Sequence, residues 1–131
     1  MDTTLNDHTH TIIGCAYTVS NTLGVGFLEK VFENATAHEI RKSGLSVVQQ
    51  HPIAVNYDGI VVGQYFADLL VENQILVEIK VAKDLTDIHA AQCLNYLRAT
   101  GFPICLLINF GRPKVQVKRI LPYDNWDKNT N

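Results

Sequence analysis

The stretch that decides the fold reads Phe66-Ala67-Asp68-Leu69-Leu70-Val71-Glu72-Asn73-Gln74-Ile75-Leu76-Val77-Glu78-Ile79-Lys80. Two apolar runs flank a short polar turn at 72–74, which predicts an antiparallel hairpin. Residues equidistant from Asn73 would pair, so Asp68 would lie opposite Glu78. Because side chains alternate along a strand, Glu78 and Lys80 share one face, and the apolar residues between them take the other.

Two carboxylates that face each other across a hairpin need a counter-charge. Directly opposed residues have Cβ atoms about 4.5–5.5 Å apart, and like charges at that separation are destabilising. A divalent cation would compensate, since Mg²⁺ is held by one or two carboxylates together with water and phosphate oxygens. Lys80 would point at the same place, where an ammonium group can orient water or neutralise charge on a phosphoryl group. The alternative is an ordinary surface salt bridge between Lys80 and Asp68 or Glu78, which contributes little.

Outward from this hairpin, hydrophobic periodicity predicts three helices and three further runs of strand-like sequence. The Asp58-Gly59 pair is typical of a tight hairpin turn, and Gly101 with Pro103 ends the last helix. The unbroken apolar run 104–110 has the length of a buried central strand. The order α, α, β, β, β, α, β, β predicts an α/β fold of the α+β type, a mixed sheet with helices on its faces. The predicted helices cover about 10–23, 27–43 and 85–100, and the predicted strands 46–57, 60–71, 75–81, 104–110 and 115–121.

Length and composition predict a single domain over 1–131, with flexible ends at 1–9 and 122–131. No run approaches the roughly 18 apolar residues of a membrane span, so no membrane partner is expected. The three cysteines, Cys15, Cys93 and Cys105, lie in apolar surroundings. They are interpreted as reduced core residues, which favours a cytoplasmic location.

Charge is distributed unevenly along the chain. Residues 1–79 hold 3 Lys/Arg and 9 Asp/Glu, a net charge of −6, whereas residues 80–119 hold 7 Lys/Arg and 2 Asp/Glu, a net charge of +5. The basic second half is compatible with a nucleic-acid partner, although the overall charge of −2 weighs weakly against one. A solvated surface with segregated charges is the alternative.

Asp68, followed after a hairpin by Glu78-Ile79-Lys80, resembles the PD-(D/E)xK nuclease superfamily. The order helix, three strands, helix, strand resembles its restriction-endonuclease-like core. The resemblance narrows to one branch, the GxxExxY proteins, and extends from about Thr11 to Leu121. The blocks that carry it are Gly24-Val25-Gly26-Phe27-Leu28-Glu29 with Phe32-Glu33, Asp68-Leu69-Leu70-Val71, Val77-Glu78-Ile79-Lys80, Ala91-Gln92-Cys93-Leu94-Asn95-Tyr96-Leu97-Arg98-Ala99-Thr100-Gly101 and Leu107-Ile108-Asn109-Phe110-Gly111.

The resemblance implies roles for individual residues. Asp68 and Glu78 would be metal ligands, with the Ile79 carbonyl as a third. Lys80 would be the catalytic lysine, and Glu29 matches an acidic residue that several of these nucleases add to the metal site.

Further along the chain, Gln92 and Tyr96 match a Gln-x-x-x-Tyr motif of the exonuclease-like branches, and they would contact DNA or support the site. They share a helix face, and His89 lies one turn earlier. The chain departs from the branch pattern at Phe32, where a Tyr is expected, and at Ala67, where the superfamily name has Pro. Ser20 and Val25 are also atypical.

Some of these residues also have ordinary structural interpretations. Glu29 and Glu33 are four apart on a helix and could both be solvated, and Tyr96 could be a core residue. Gly24 and Gly26 more plausibly shape the helix entry than bind phosphate.

The function implied is a nuclease that uses Mg²⁺ or Mn²⁺ to hydrolyse phosphodiester bonds in nucleic acid, with DNA favoured. Two alternatives stay open at this point. One is an inactive nucleic-acid-binding module on the same fold, since a fold alone does not imply activity. The other is a protein-interaction or assembly domain, for which a homo-oligomer is plausible.

Overall fold

The computed structural model describes residues 3–124 and confirms the predicted order of elements. Within these residues, no helix is long and apolar enough to cross a membrane. The elements are α1 (Thr3–Leu23), α2 (Glu29–Lys42), β1 (Val47–Tyr57), β2 (Ile60–Val71), β3 (Ile75–Lys80), α3 (Asp87–Thr100), β4 (Ile104–Asn109) and β5 (Gln116–Ile120).

The five strands form one mixed sheet in the order β1-β2-β3-β4-β5. Neighbouring strands are antiparallel except β3 and β4, which are parallel and connected through α3. All six residues of β4 are buried, as its unbroken apolar sequence predicts. The turn between β1 and β2 places Asp58 and Gly59 at φ values of 55° and 80°, the left-handed conformation that a two-residue hairpin turn requires.

Helices cover both faces of the sheet. On one face, α1 and α2 pack against alternate strand residues such as Leu69, Val77 and Ile79. On the other face, α3 packs against a second set that includes Leu76 and Leu107. Burial of apolar surface in these two cores is the main favourable contribution to folding.

Local signals at the helix ends agree with the structure. The Thr86 hydroxyl accepts a hydrogen bond from the His89 N–H, and the His89 Nδ1 accepts one from the Thr86 N–H, which caps α3. Gly101 ends α3 at a φ of 79°. His89, one turn before Gln92, therefore has a structural role in the cap.

The N-terminal end of the chain differs from the expectation of a flexible segment. The first helix begins at Thr3, several residues before the predicted start, and Leu5 and Thr9 are buried in it. Residues 3–9 are thus part of a packed helix. The expected flexible segment at 122–131 falls mostly outside the described residues.

Part of the β1–β2 hairpin extends beyond the rest of the sheet. Pairing between β2 and β3 is confined to Leu69, Leu70 and Val71 of β2, whereas β1 pairs with β2 along almost its whole length. Residues 51–67 therefore form a two-stranded arm, here called the β1–β2 arm. The base of this arm lies beside Asp68.

Candidate active site

Asp68 and Glu78 lie where β2 separates from β3. The pairs Leu69↔Val77 and Leu70↔Leu76 confirm the predicted register, but backbone pairing stops one position short of the two acids. There the side chains replace the backbone: the Asp68 N–H donates to Glu78 Oε2 at 2.8 Å, and the Ile79 N–H donates to Asp68 Oδ2 at 2.7 Å. Each carboxylate thus reaches the backbone of the opposite strand.

Burial makes these two acids hard to ionise together. Glu78 is 3% exposed, and its burial, followed by the nearby charge of Asp68, raises its pKa to about 8. Burial is also the main cause of the raised pKa of the half-buried Asp68, against which the Ile79 N–H acts by stabilising the carboxylate. Without a cation, the pair therefore retains a proton near neutral pH.

Lys80 is directed toward α3 by a hydrogen bond. Its Nζ donates to Gln92 Oε1 at 3.2 Å. Among the ion pairs of residues 3–124, none joins Lys80 to Asp68 or Glu78. The alternative of a surface salt bridge is therefore excluded for this geometry, and the ammonium group is held beside the two acids without being neutralised by direct contact.

The two residues of the Gln-x-x-x-Tyr motif both lie next to the acids. Gln92 accepts the bond from Lys80, and Tyr96, one turn later on α3, is buried at 6% exposure. Burial and the adjacent Glu78 charge raise the pKa of the Tyr96 hydroxyl, which therefore stays protonated. Tyr96 is thus both a core residue and a neighbour of the carboxylates.

Glu29, the first residue of α2, approaches the same place from the other face. Partial burial raises its pKa, Asp68 and Glu33 add to this, and Lys80 opposes it. Within residues 3–124, however, no group of three or more His, Cys, Asp or Glu side chains is arranged to hold a metal ion. Glu29 therefore interacts with the site electrostatically, and its place in the metal-ligand set stays a prediction.

A second acidic residue of α2 is more deeply involved than its spacing suggests. Glu33 is 3% exposed and accepts hydrogen bonds from Lys30 Nζ at 3.0 Å, Gln49 Nε2 at 2.8 Å and Gln50 Nε2 at 2.8 Å. The interpretation of Glu33 as a solvated residue is wrong, because the start of β1 packs its amide side chains onto the α2 face.

Gln50 connects Glu33 to the site. Its Nε2 also donates to Asp68 Oδ1 at 3.3 Å, and its backbone adopts a φ of 56°, a conformation rarely found in non-glycine residues. The neighbouring pairs Gln49↔Leu69 and His51↔Ala67 place Gln50 opposite Asp68. Gln50, Asp68 and Glu78 therefore form a row across three strands, which sequence reasoning found only in part.

The chain after Lys80 is fixed by the end of β4. The Lys80 carbonyl accepts from the Phe110 N–H at 2.8 Å, and the buried Asn109 side chain bonds both the N–H and the carbonyl of Ala82 at 2.9 Å. A side chain at Gly111 would place its Cβ 2.3 Å from the Ala82 carbonyl oxygen, so only glycine permits this approach. The Leu107–Gly111 motif thus positions the turn that follows Lys80.

Phe32, where the GxxExxY pattern has Tyr, is fully buried. Its ring stacks on Phe110 with centroids 4.8 Å apart. The surroundings of this side chain are apolar, so a hydroxyl group there would need a hydrogen-bond partner.

The donor set fits a divalent cation. Asp68 and Glu78 are two neighbouring carboxylates whose pKa values are raised by burial and by each other, which is the situation that a bound cation would relieve. The Ile79 carbonyl leaves its strand on the same side as the N–H that bonds Asp68. Two carboxylates and one carbonyl leave the remaining positions to water and phosphate oxygens, as Mg²⁺ prefers.

Comparison with known proteins establishes the superfamily of the chain. The family model of the PD-(D/E)XK nuclease superfamily matches residues 6–120, and the chain belongs to that superfamily. No curated protein sequence matches the chain significantly.

One solved structure supports the fold. The chain is similar to an alkaline exonuclease from Laribacter hongkongensis, with a TM-score of 0.51 and 20% sequence identity. The match covers 70% of this chain and 55% of that chain, so this chain spans about half the length of that enzyme. At this identity the similarity establishes a shared fold.

Proposed function

We propose that the chain is a divalent-metal-dependent nuclease that hydrolyses phosphodiester bonds in DNA, and that it is a single domain of the GxxExxY branch. The observation that carries the proposal is the buried pair Asp68 and Glu78, cross-bonded at the point where β2 leaves β3, with the Lys80 ammonium held beside it. A pair of this kind is unfavourable in an isolated protein and is suited to a cation that carries phosphate. Membership of the nuclease superfamily supports the same conclusion.

In this proposal each residue has a definite task. Asp68, Glu78 and the Ile79 carbonyl would hold Mg²⁺ or Mn²⁺. When bound, such a cation lowers the pKa of a water molecule and stabilises negative charge on phosphate. Lys80 would orient the attacking water or stabilise charge on the phosphoryl group.

The surrounding residues would set the positions of these groups. Gln92 holds Lys80 through the 3.2 Å hydrogen bond, and Gln50 holds Asp68. Glu29 contributes negative charge at the edge of the site. Exposed Lys and Arg residues of the second half would contact the DNA backbone, which predicts binding that weakens as salt rises.

Cellular location is part of the proposal as well. Cys15, Cys93 and Cys105 are free thiols, which supports a reducing, cytoplasmic environment.

The test is cleavage of labelled DNA by the purified chain in Mg²⁺ or Mn²⁺ and in EDTA. Glu78→Gln should lower turnover by about a hundredfold to a thousandfold, the loss expected when one group that stabilises a charged transition state is removed. Lys80→Ala should lower kcat more than it raises KM, because Lys80 acts on the transition state. Glu39→Gln, at the far end of α2 in an ion pair with Lys42, is the matched control and should cleave like wild type.

Two outcomes would overturn the proposal. Cleavage that continues in EDTA would exclude the metal mechanism. Folded wild type that cleaves neither DNA nor RNA in either metal would leave an inactive binding module on this fold as the better description.

A further inference from the structure

A cleft of about 770 Å³ lies between α3 and the β1–β2 arm, beside the candidate active site. Its volume is within the range of about 300–1,000 Å³ typical of small-ligand sites. One wall consists of the arm and the other of the outer face of α3. The lining residues are Ala54, Val55, Asn56, Tyr65, Ile88, Ala91, Gln92, Asn95, Tyr96, Arg98 and Ala99.

The cleft is continuous with the active site because two residues belong to both. Gln92 lines the cleft and accepts the hydrogen bond from Lys80 at 3.2 Å. Since the ammonium group can only donate, the bond uses the Gln92 oxygen and leaves its NH₂ group for another partner. Tyr96 lines the cleft and lies close enough to Glu78 for that charge to raise the pKa of its hydroxyl. A molecule bound in the cleft would therefore reach the carboxylate pair.

The chemistry of the lining differs from that of the acid pair. Arg98 is the sole charged residue that lines the cleft, and no Asp or Glu faces it. Arg98 is exposed and forms no ion pair within residues 3–124. The guanidinium group is therefore available to an anionic ligand such as phosphate.

Flat and hydrogen-bonding groups complete the lining. Tyr65 is 49% exposed and lines the cleft from the arm, and its ring centroid lies 5.9 Å from that of Tyr96. Three amide side chains, of Asn56, Gln92 and Asn95, can both donate and accept. An aromatic ring, amides and one arginine are the groups with which proteins bind unpaired bases and their backbone.

We propose that this cleft binds a single-stranded segment of DNA, with one base against Tyr65, base edges at the amides and a phosphate at Arg98. The inference rests on the proposed nuclease function and adds its substrate form. The volume can enclose one or two nucleotides but not a base-paired duplex, whose major groove alone is about 12 Å wide. The DNA strand that leaves the cleft past Gln92 would reach Lys80 and the carboxylate pair. The active site would therefore act on an unpaired end of the DNA.

Fluorescence anisotropy of the full chain in EDTA measures this binding without cleavage. The probe is a labelled oligothymidylate of about 10 nucleotides, a length within known single-strand site sizes. A blunt duplex and an oligouridylate of the same length are the comparison ligands. The single DNA strand should bind tighter than the duplex, and Tyr65→Leu should weaken it about tenfold, a change of the size expected for one stacked base.

The effect of Arg98→Ala should appear in the salt dependence. Loss of one phosphate contact should reduce the slope of log K against log salt by about 0.7, the value for a single strand. The matched controls are Tyr17→Leu on α1 and Arg41→Ala on α2, both outside the cleft. Both controls should bind like wild type with an unchanged slope.

Several results would overturn the inference. These are a duplex that binds as tightly as the single strand, cleft variants that bind like the controls, or wild type that binds no oligonucleotide. Tighter binding of oligouridylate would overturn the assignment to DNA.

Cleavage in Mn²⁺ on the same variants separates the two proposals. If binding requires Tyr65 and Arg98 but no cleavage occurs, the proposed nuclease activity is wrong and the proposed binding of single-stranded DNA in the cleft stands. If cleavage is unchanged by both substitutions, the proposed binding in the cleft is wrong and the proposed nuclease activity stands.

Discussion

Two buried carboxylates, Glu33 and Glu78, have the same exposure of 3% and very different surroundings. Glu33 accepts hydrogen bonds from Lys30, Gln49 and Gln50, so both of its oxygens are occupied. Glu78 has one such bond, from the Asp68 N–H, and faces the charge of Asp68.

Glu33 therefore has the donors that stabilise a buried negative charge, whereas Glu78 lacks them. A carboxylate whose donors are all supplied by the protein serves the structure. One that is left short of donors and placed beside a like charge is available to a ligand. This distinction separates the contact between α2 and β1, where Glu33 lies, from the point where β2 leaves β3, where Glu78 lies. Gln50 bonds both Glu33 and Asp68.

The largest effect expected from this difference is a pH dependence of stability carried by Glu78. The folded protein holds a proton on Glu78 up to a pKa of about 8, while the unfolded chain releases it near the ordinary value of 4.5. Between those values the folded state binds the extra proton, so the free energy of unfolding falls as pH rises. From about pH 5.5 to about pH 7.5 in EDTA, wild type should lose roughly 2 kcal/mol relative to Glu78→Gln.

Urea unfolding of both proteins across this pH range provides the measurement. The difference between them isolates Glu78 from the histidines and other groups that titrate in the same interval. If the free energy of unfolding depends on pH in the same way for wild type and Glu78→Gln, Glu78 is ionised in the folded protein. Glu78 would then not differ from Glu33 in the way described above.

Effects of opposite direction on stability are expected when the same substitution, Glu to Gln, is made at Glu33 and at Glu78. Glu33→Gln replaces one acceptor oxygen by an NH₂ group, which faces the donor of either Gln49 or Gln50. The loss of a hydrogen bond to a charged group should cost about 1.5–3 kcal/mol. Glu78→Gln replaces a carboxyl group that is mostly protonated at pH 7.5 by a neutral amide, and should leave stability at that pH unchanged or higher.

Thermal or urea unfolding in EDTA measures both variants, with Glu39→Gln in the exposed ion pair to Lys42 as the control near zero. If Glu33→Gln is neutral, the hydrogen bonds seen at Glu33 contribute no net stability. If Glu78→Gln is strongly destabilising, its carboxylate is structural like that of Glu33.

How far the sequence predicts this molecule depends on whether a signal is local. The register of β2 and β3 follows from the turn at 72–74, so the placement of Asp68 and Glu78 could be predicted. The burial of β4 follows from its apolar run. The start of α1 does not follow from the apolar pattern, because Thr9, a polar residue, occupies a buried position between Leu5 and Ile12.

The supporting parts of the site depend on contacts between distant residues. Gln50 bonds Glu33, 17 positions away in the sequence, and Asp68, 18 positions away. Its positive φ could not be predicted either, because the residue is not a glycine. The cleft likewise exists only because the β1–β2 arm extends over α3. Neither feature leaves a periodicity or a motif in the chain, so neither could be predicted from sequence.

The smallest effect concerns Gln50, the residue shared by the two acidic environments. Its amide donates to Asp68 Oδ1 and so holds that carboxylate at the point where β2 leaves β3. Gln50→Ala should weaken Mn²⁺ binding about tenfold, the lower end of what loss of a supporting hydrogen bond costs a metal site. A cation at a hundred times the wild-type Kd stabilises the folded state by about 2.7 kcal/mol, and a tenfold weaker site would retain about 1.4 kcal/mol.

Melting of wild type and Gln50→Ala with Mn²⁺ and with EDTA gives this difference without any substrate. The informative control is Gln49→Ala, because Gln49 bonds Glu33 at the same 2.8 Å as Gln50 does but makes no bond to Asp68. Gln49→Ala should lower the melting temperature in EDTA and keep the full rise with Mn²⁺. If both variants lose the Mn²⁺ response equally, the effect arises from packing around Glu33. If only Gln50→Ala loses it, the strained backbone at Gln50 serves to deliver one amide group to a metal ligand.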